Sequence, residues 1–457
     1  LSVEELTGRL DDRFALLGGG HRPPLRRHRT LRAAVGWSHE LCTPQERLLW
    51  ARLSVFAGEF DARIAAAVCS DARLMVTQSL LDRLVDKSIL TDDLGRYRML
   101  RTYREYGMAW LTLLGEADAL RQRHCDHYRL TASLADAEWA GQGQLDWAEW
   151  ARREFPNLRL AVEHSLHDRT GLELVAALWF VWCGLGKIQE GRRYLEEALL
   201  RHTEPSAART KALWACGWVA LAQGDLEAVA RRSGEALRVA REQDDPAAVG
   251  YAVQGASMLA LVRGELRHAE LLTGEGLELF RRCPRPEVGL PIAMVTRALV
   301  LTRTGRLHQA VELLREQRDW CEEQGEMWAR ALGDYAFSMA KMGLGELDEA
   351  ERCARSAVAV KWWFGDLWGT ALAVEQMAAV TALRGDGEEA ARLLGTAQRI
   401  WTACGRVRRG KEFTGTRSTE RLARAAVGDD RYDDAFAWGV RTTPQHAMDA
   451  ILARGRR

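Results

Sequence analysis

Three clusters in this 457-residue chain carry side chains able to do chemistry. His124, Cys125 and His127, in RHCDHY, are nitrogen and sulfur donors of the kind zinc takes. On a helix, neighbours one apart point to different faces, and no fourth ligand stands nearby, which argues against a metal centre. Gly184-Leu185-Gly186-Lys187-Ile188 imitates a phosphate-binding loop. It lacks the G-x-x-x-x-G-K-S/T spacing and the hydroxyl that meets magnesium, so this chain is not expected to hydrolyse ATP by itself. The third cluster is cationic: Arg22, Arg26, Arg27 and Arg29 follow Gly18-Gly19-Gly20 in a proline-containing linker. Guanidinium groups suit a phosphate or an acidic partner, so Arg26, Arg27 and Arg29 are candidate contacts, against the plainer reading of a solvated linker. A further basic run, Arg406, Arg408, Arg409 and Lys411, reads as an exposed loop. With no serine elbow, HExxH or paired CxxC, the sequence assigns no catalytic, cofactor or metal residue, and no enzyme is expected.

The 17 tryptophans are the other reservoir of binding chemistry, because Trp, Tyr and Arg dominate interface hot spots. Most of them are expected to fill gaps between helices. The adjacent pair Trp362 and Trp363 cannot both face one core, so one of the two is the best candidate for a functional aromatic.

Helices must position these residues, since prolines number only 10 while Ala, Leu, Arg and Glu dominate. One phrase recurs: GKIQEG from Gly186, GDLEAV from Gly224, GELRHA from Gly264, GRLHQA from Gly305, GELDEA from Gly345 and GDGEEA from Gly385. The steps are 38, 40, 41, 40 and 40 residues. Each phrase lies between two apolar runs of helical period, so each unit reads as helix, tight turn, helix, with the glycine in the left-handed conformation that ends a helix. The phrase's last residue is small in most copies (Gly191, Val229, Ala269, Ala310, Ala350, Ala390). So are the residues twelve before and seven after it, apart from Trp179 and Gln317. These offsets resemble the tetratricopeptide pattern over about Gly171 to Cys404, with a period longer than the 34 residues typical of that repeat. The excess is expected in longer second helices or in loops near Gln243 to Ala247 and Cys283 to Pro291. Such pairs bury their apolar faces only against neighbours, and stacking is expected to leave a concave groove for a protein or small-ligand effector.

Upstream, Thr43-Pro44-Gln45-Glu46 is a helix-start signature. Helices are predicted at Asp61 to Cys69, with Asp61 as cap, and at Met75 to Lys87. Ser88 to Thr91, Asp92 to Gly95 and Arg96 to Leu100 then read as strand, turn and strand. Three helices and a hairpin is the order of a winged helix, whose third helix can enter DNA. Here Arg83 and Lys87 are matched by Asp82 and Asp86, too balanced for a phosphate-tracking face.

The runs RTLRAAVGWSHELCTPQERLLWARLSVFAGEF, LLDRLVDKSIL and GRYRMLRTYREYG together resemble bacterial signal-transduction ATPase regulators of the NB-ARC-like class, often grouped with LuxR-type regulators. The resemblance covers most of Leu1 to Leu166. It implies a nucleotide-binding module, a winged helix and a tetratricopeptide-like sensor in that order, with LSVEELTGRLDDRFALLGGG as the tail of the module. The chain opens on Leu and reads as part of a longer protein. Met99-Leu100-Arg101 lacks the histidine of the Met-His-Asp nucleotide sensor that some relatives carry after the wing. TTPQHAMDAILARGRR lacks the four-helix pattern of a LuxR-type DNA-binding domain.

The expected architecture is mainly α, a winged-helix domain followed by a tetratricopeptide-like α-solenoid. Its parts are a module tail and linker at 1–42, the winged helix at 43–114, a helical connector at 115–170, about six repeats at 171–404 and a helical cap at 405–457. The expected role is regulatory, with effector binding by the array coupled to an ATPase domain upstream in the same polypeptide and no cofactor in this chain. A stand-alone scaffold, and a DNA-binding regulator acting through the winged helix, are the alternatives. A formal charge of +1, from 64 Lys+Arg and 63 Asp+Glu, does not call for nucleic acid or an anionic membrane. No apolar run approaches the ~18 residues of a membrane span. Nine cysteines without paired spacing read as reduced thiols, and the expected location is the cytoplasm.

Overall fold

The computed structural model describes residues 35–243, 245–405 and 414–453. The fold is mainly α and divides into two compact units. One comprises the described residues up to Thr131 together with Trp150–Ser165; the other comprises Ala132–Glu149 and the residues from Leu166 onward. Among the described residues no helix is long and apolar enough to cross a membrane.

In the first unit, α1 (Pro44–Leu53) starts with a reciprocal capping box. The Thr43 hydroxyl accepts from the Glu46 amide, and the Glu46 carboxylate accepts from the Thr43 amide at 2.8 Å. Asp61 caps α2 (Ala62–Cys69), and Thr77 caps α3 (Gln78–Asp86), which therefore begins later than its apolar pattern suggests. Strands β2 (Leu90–Asp93) and β3 (Arg96–Met99) pair antiparallel around Leu94-Gly95, both with positive φ, 52° and 81°. A third strand, β1 (Phe60–Asp61), joins β3 from the other side to give the order β1-β3-β2. Two residues are too few to show an alternating pattern, so sequence periodicity cannot reveal it. The order is therefore helix, short strand, two helices and a β-hairpin, and α4 (Arg101–Leu113) follows. Gly107 lets α4 approach α1, since a Cβ there would lie 3.0 Å from the Trp50 ring. Two long helices come next, α5 (Ala117–Glu138) and α6 (Gln144–Ser165).

The second unit contains the repeats. The first pair is α7 (Arg169–Ala177) and α8 (Trp179–Cys183) with α9 (Ile188–Arg201). The next are α10 (Ala207–Ala222) with α11 (Leu226–Arg241), and α12 (Pro246–Arg263) with α13 (Leu266–Arg281). Then come α14 (Gly289–Arg303) with α15 (Leu307–Gln324), α16 (Trp328–Gly343) with α17 (Leu347–Phe364), and α18 (Leu367–Leu383) with α19 (Gly387–Ala403). All six phrase glycines sit at φ between 75° and 87°, as a left-handed helix stop requires. The need for a small residue at Gly191 is direct, because a Cβ there would come within 2.5 Å of the Trp182 Cβ. Gln317 is tolerated because Gly333 faces it, and its amide donates to the Ala329 carbonyl at 3.0 Å. Helices α20 (Thr414–Val427), α21 (Asp429–Arg441) and α22 (Pro444–Ala453) complete the unit. Gly395 and Gly439 let the backbones of α19 and α21 touch.

Within each pair the two helices differ in character. From α10 onward, the first helix is buried on nearly every face, whereas the second alternates buried and exposed residues at helical spacing. The first helices thus form an inner layer and the second helices an outer one.

Candidate functional site

The inner layer is closed by its own tryptophans. Trp179 of α8 meets Trp214 of α10 with ring centroids 5.2 Å apart and Trp328 of α16 at 6.0 Å. Trp218, one turn beyond Trp214, meets Trp328 at 5.8 Å and Trp368 of α18 at 5.6 Å. Edge-to-face and tilted contacts at these distances are favourable for indole rings. The first two repeats therefore touch the fifth and sixth, and the face where a groove was expected is filled. All five rings are at most 7% exposed, as befits bulky core residues.

Backbone meets backbone at the same place. The turn after α8 abuts the link between repeats five and six. A Cβ on Gly184 would lie 3.3 Å from the Trp328 indole nitrogen, and one on Gly186 would collide with the carbonyl oxygen of Gly365. The run that imitates a phosphate loop is a packing surface.

Buried polar groups complete this contact. Gln144, at the start of α6, accepts through Oε1 from the Met327 and Trp328 amides at 2.8 and 3.1 Å. Its Nε2 donates to Glu326 at 2.6 Å and to the Trp139 carbonyl at 3.0 Å. Glu326 in turn accepts from the Ala329 and Arg330 amides. Four amides at the start of α16, which a helix cannot satisfy internally, are thereby paired, two of them by a residue from outside the repeats. Beside them Lys361 lies 3.0 Å from Asp366 and 3.9 Å over the Trp328 ring, while Asp366 accepts from the Trp328 indole at 3.0 Å and caps α18 through Gly369. Burial pushes the Lys361 ammonium below its ordinary range, against the pull of Asp366. It pushes the Glu326 carboxyl up, against the hydrogen bonds it accepts. On the other flank Asp136 takes Lys211 through both oxygens, at 2.6 and 2.7 Å, and the Trp179 indole at 2.7 Å.

The residues singled out by sequence fall elsewhere. Trp362 is half-buried and Trp363 is 42% exposed, both on α17 of the outer layer. The Trp363 ring stands edge-on to Phe364 at 4.9 Å. Arg26, Arg27 and Arg29 lie outside the described residues, as do Arg406, Arg408, Arg409 and Lys411. His124 is buried against Phe56 and Tyr128, and Cys125 against the Ala161 carbonyl. Among the described residues no group of three or more His, Cys, Asp or Glu is placed to hold a metal ion. Gln144, Glu326, Lys361 and Asp366 gave no sequence signal, because Gln144 meets partners some 183 positions away and no local pattern encodes that.

In the first unit, Arg83 of α3 and Lys87, which follows its last residue, both bind Glu46, at 2.9 and 2.7 Å. Burial pushes the Glu46 carboxyl up, and the hydrogen bonds from Lys87 and Thr43 overcome this to hold it below its ordinary range. Asp82 and Asp86 remain on the exposed face.

No protein-family profile matches the chain. Chains of Mycobacterium bovis and Mycobacterium tuberculosis, provisionally named HTH-type transcriptional regulators, are 34% identical over 268 residues, which is 54% of this chain and 30% of theirs. An uncharacterized protein of Mycobacterium tuberculosis is 39% identical over 136 residues, 28% of this chain and 35% of its own. The chain thus spans less than a third of the length of the first of these relatives. Among solved structures, a signal transduction ATPase with numerous domains and a tetratricopeptide repeat sensor, from Pyrococcus horikoshii, is similar with a TM-score of 0.47 at 12% identity. That likeness covers 95% of this chain and 67% of the other. A Rap protein complexed with competence and sporulation factor gives a TM-score of 0.44 at 11% identity, covering 71% of this chain and 98% of its own.

Proposed function

We propose that this chain is the sensory and regulatory part of a larger transcriptional regulator. In this reading the helical array takes up a protein or small-ligand effector, and its state governs an ATPase domain that precedes the winged helix in the same polypeptide. What supports it is a six-pair helical array preceded by helices and a β-hairpin in the order expected of a winged helix, in a chain 34% identical over 268 residues to proteins provisionally named transcriptional regulators. DNA contact through α3 is disfavoured, because Arg83 and the adjoining Lys87 are bound to Glu46 and cannot at the same time neutralise phosphates. DNA contact therefore falls to another part of the full-length protein. The test is to read the coding region upstream of Leu1. A phosphate loop is expected within roughly one domain, about 50–250 residues, and its absence would sink the coupling to an ATPase.

A further inference from the structure

The closure of the inner layer differs in kind from the packing of one repeat on the next. Four of the five steps between consecutive repeats carry ion pairs, such as Arg192 with Asp225, Arg306 with Glu270, Arg318 with Asp334 and Arg384 with Asp348. Interlocked helix faces accompany those pairs. The closing seam rests instead on a glycine turn against a glycine carbonyl, on ring edges, and on the cap that Gln144 lends to α16. Contacts of that sort are directional and are lost over a small displacement. None of these contacts lies within a single repeat.

The seam also buries charge. Lys361, Asp366 and Glu326 are each 1% exposed. Removing such groups from water opposes closure, so the closed state holds only the difference between large opposing terms, and a ligand with modest preference can shift it. Three indole rings, Trp218, Trp328 and Trp368, meet across the seam, and parting it uncovers them.

We infer that the seam is an autoinhibitory contact: the first two repeats occupy the aromatic wall of the fifth and sixth, and an effector with a flat apolar group binds by taking their place. This rests on the reading of the array as the effector-binding part. It adds that the binding face is covered in the resting state.

A native thiol reports on it. Cys183 is adjacent to Gly184 at the seam and 3% exposed, whereas Cys353 is buried on α17 in the outer layer of repeat five. Gly186→Ala places a methyl against the Gly365 carbonyl. Gly264→Ala introduces the same residue at almost the same φ, 80° against 75°, with nothing within 4 Å. The two variants share the backbone penalty and differ in the clash. In Gly186→Ala, alkylation of Cys183 by iodoacetamide, followed by peptide mass spectrometry, should accelerate at least tenfold. Cys353 should stay at its parent rate, and Gly264→Ala should label like the parent. Gln144→Ala, which removes the borrowed cap without adding an atom, should also speed Cys183, and it serves if Gly186→Ala does not fold. The inference is overturned if Cys183 keeps the parent rate in every variant that folds, or if Cys353 accelerates with it. The assay needs neither effector nor upstream domain, so its failure is separate from that of the proposed function.

Discussion

His124 is a base held without a partner. Its side chain is fully buried, neither ring nitrogen has a hydrogen-bond partner among the described residues, and burial, with smaller contributions from His164, His127 and Arg104, drives its pKa down to about 3. An unfolded histidine titrates near 6.5, so between about pH 6.5 and 3 the unfolded chain binds the extra proton. Stability is therefore complete above pH 6.5 and falls as the solution is acidified, by about 2 kcal/mol at pH 5 from this one residue. His124→Phe, which suits the aromatic surroundings of Phe56 and Tyr128, should flatten that part of the pH dependence. Urea midpoints for parent and variant at pH 7.5 and 5 check this, and equal slopes would remove His124 from the account. Sequence reading placed His124 in a zinc-like run. It could not place the residue in a hydrophobic interior, because the packing partner Phe56 lies far away in the chain.

At the scale of elements, local chemistry was legible and distant pairing was not. The capping box of α1 and the Asp61 cap of α2 show in three or four adjacent residues, and both are present. That Glu46 also anchors Arg83 and Lys87 could not be read, since charge balance within α3 pointed only to Asp82 and Asp86. Glu46→Ala is expected to cost about 1–2 kcal/mol through the lost cap and to free Arg83 on α3 and Lys87 at its end. Weak duplex binding should then rise at low salt and vanish as salt is added, which fluorescence anisotropy would show. Unchanged anisotropy at low salt would mean that Glu46 is not what keeps α3 from phosphates. The β2–β3 turn offers an improvement. Leu94 is fully exposed and adopts φ 52°, a conformation that suits Asn before Gly far better than Leu. Leu94→Asn should stabilise the first unit by roughly 0.5–1 kcal/mol, measured as a higher thermal midpoint. A lower midpoint would contradict this account of the turn.

In the repeat unit as a whole, the architecture was read from one six-residue phrase, because glycine stops and small helix-contact positions recur wherever the backbone demands them. The closure was invisible, because it follows from accumulated rotation over several repeats. It is written only in scattered tryptophans and in glycines, such as Gly186 and Gly365, whose spacing otherwise looks like ordinary turns. Most array tryptophans were expected to be core, and those of the first helices are. The Trp362 and Trp363 pair belongs to the outer layer.

An open helical array can gain or lose a unit and remain much the same object, which is how such proteins vary in length. Here the turn at Gly186 must arrive opposite Gly365, and Gln144 opposite the start of α16. Duplicating or deleting any repeat between the second and the fourth would carry the first past its mate. The copy number of this array is thus locked by geometry, so its diversification is confined to surface residues of the outer helices, the linking loops and whatever follows the sixth repeat.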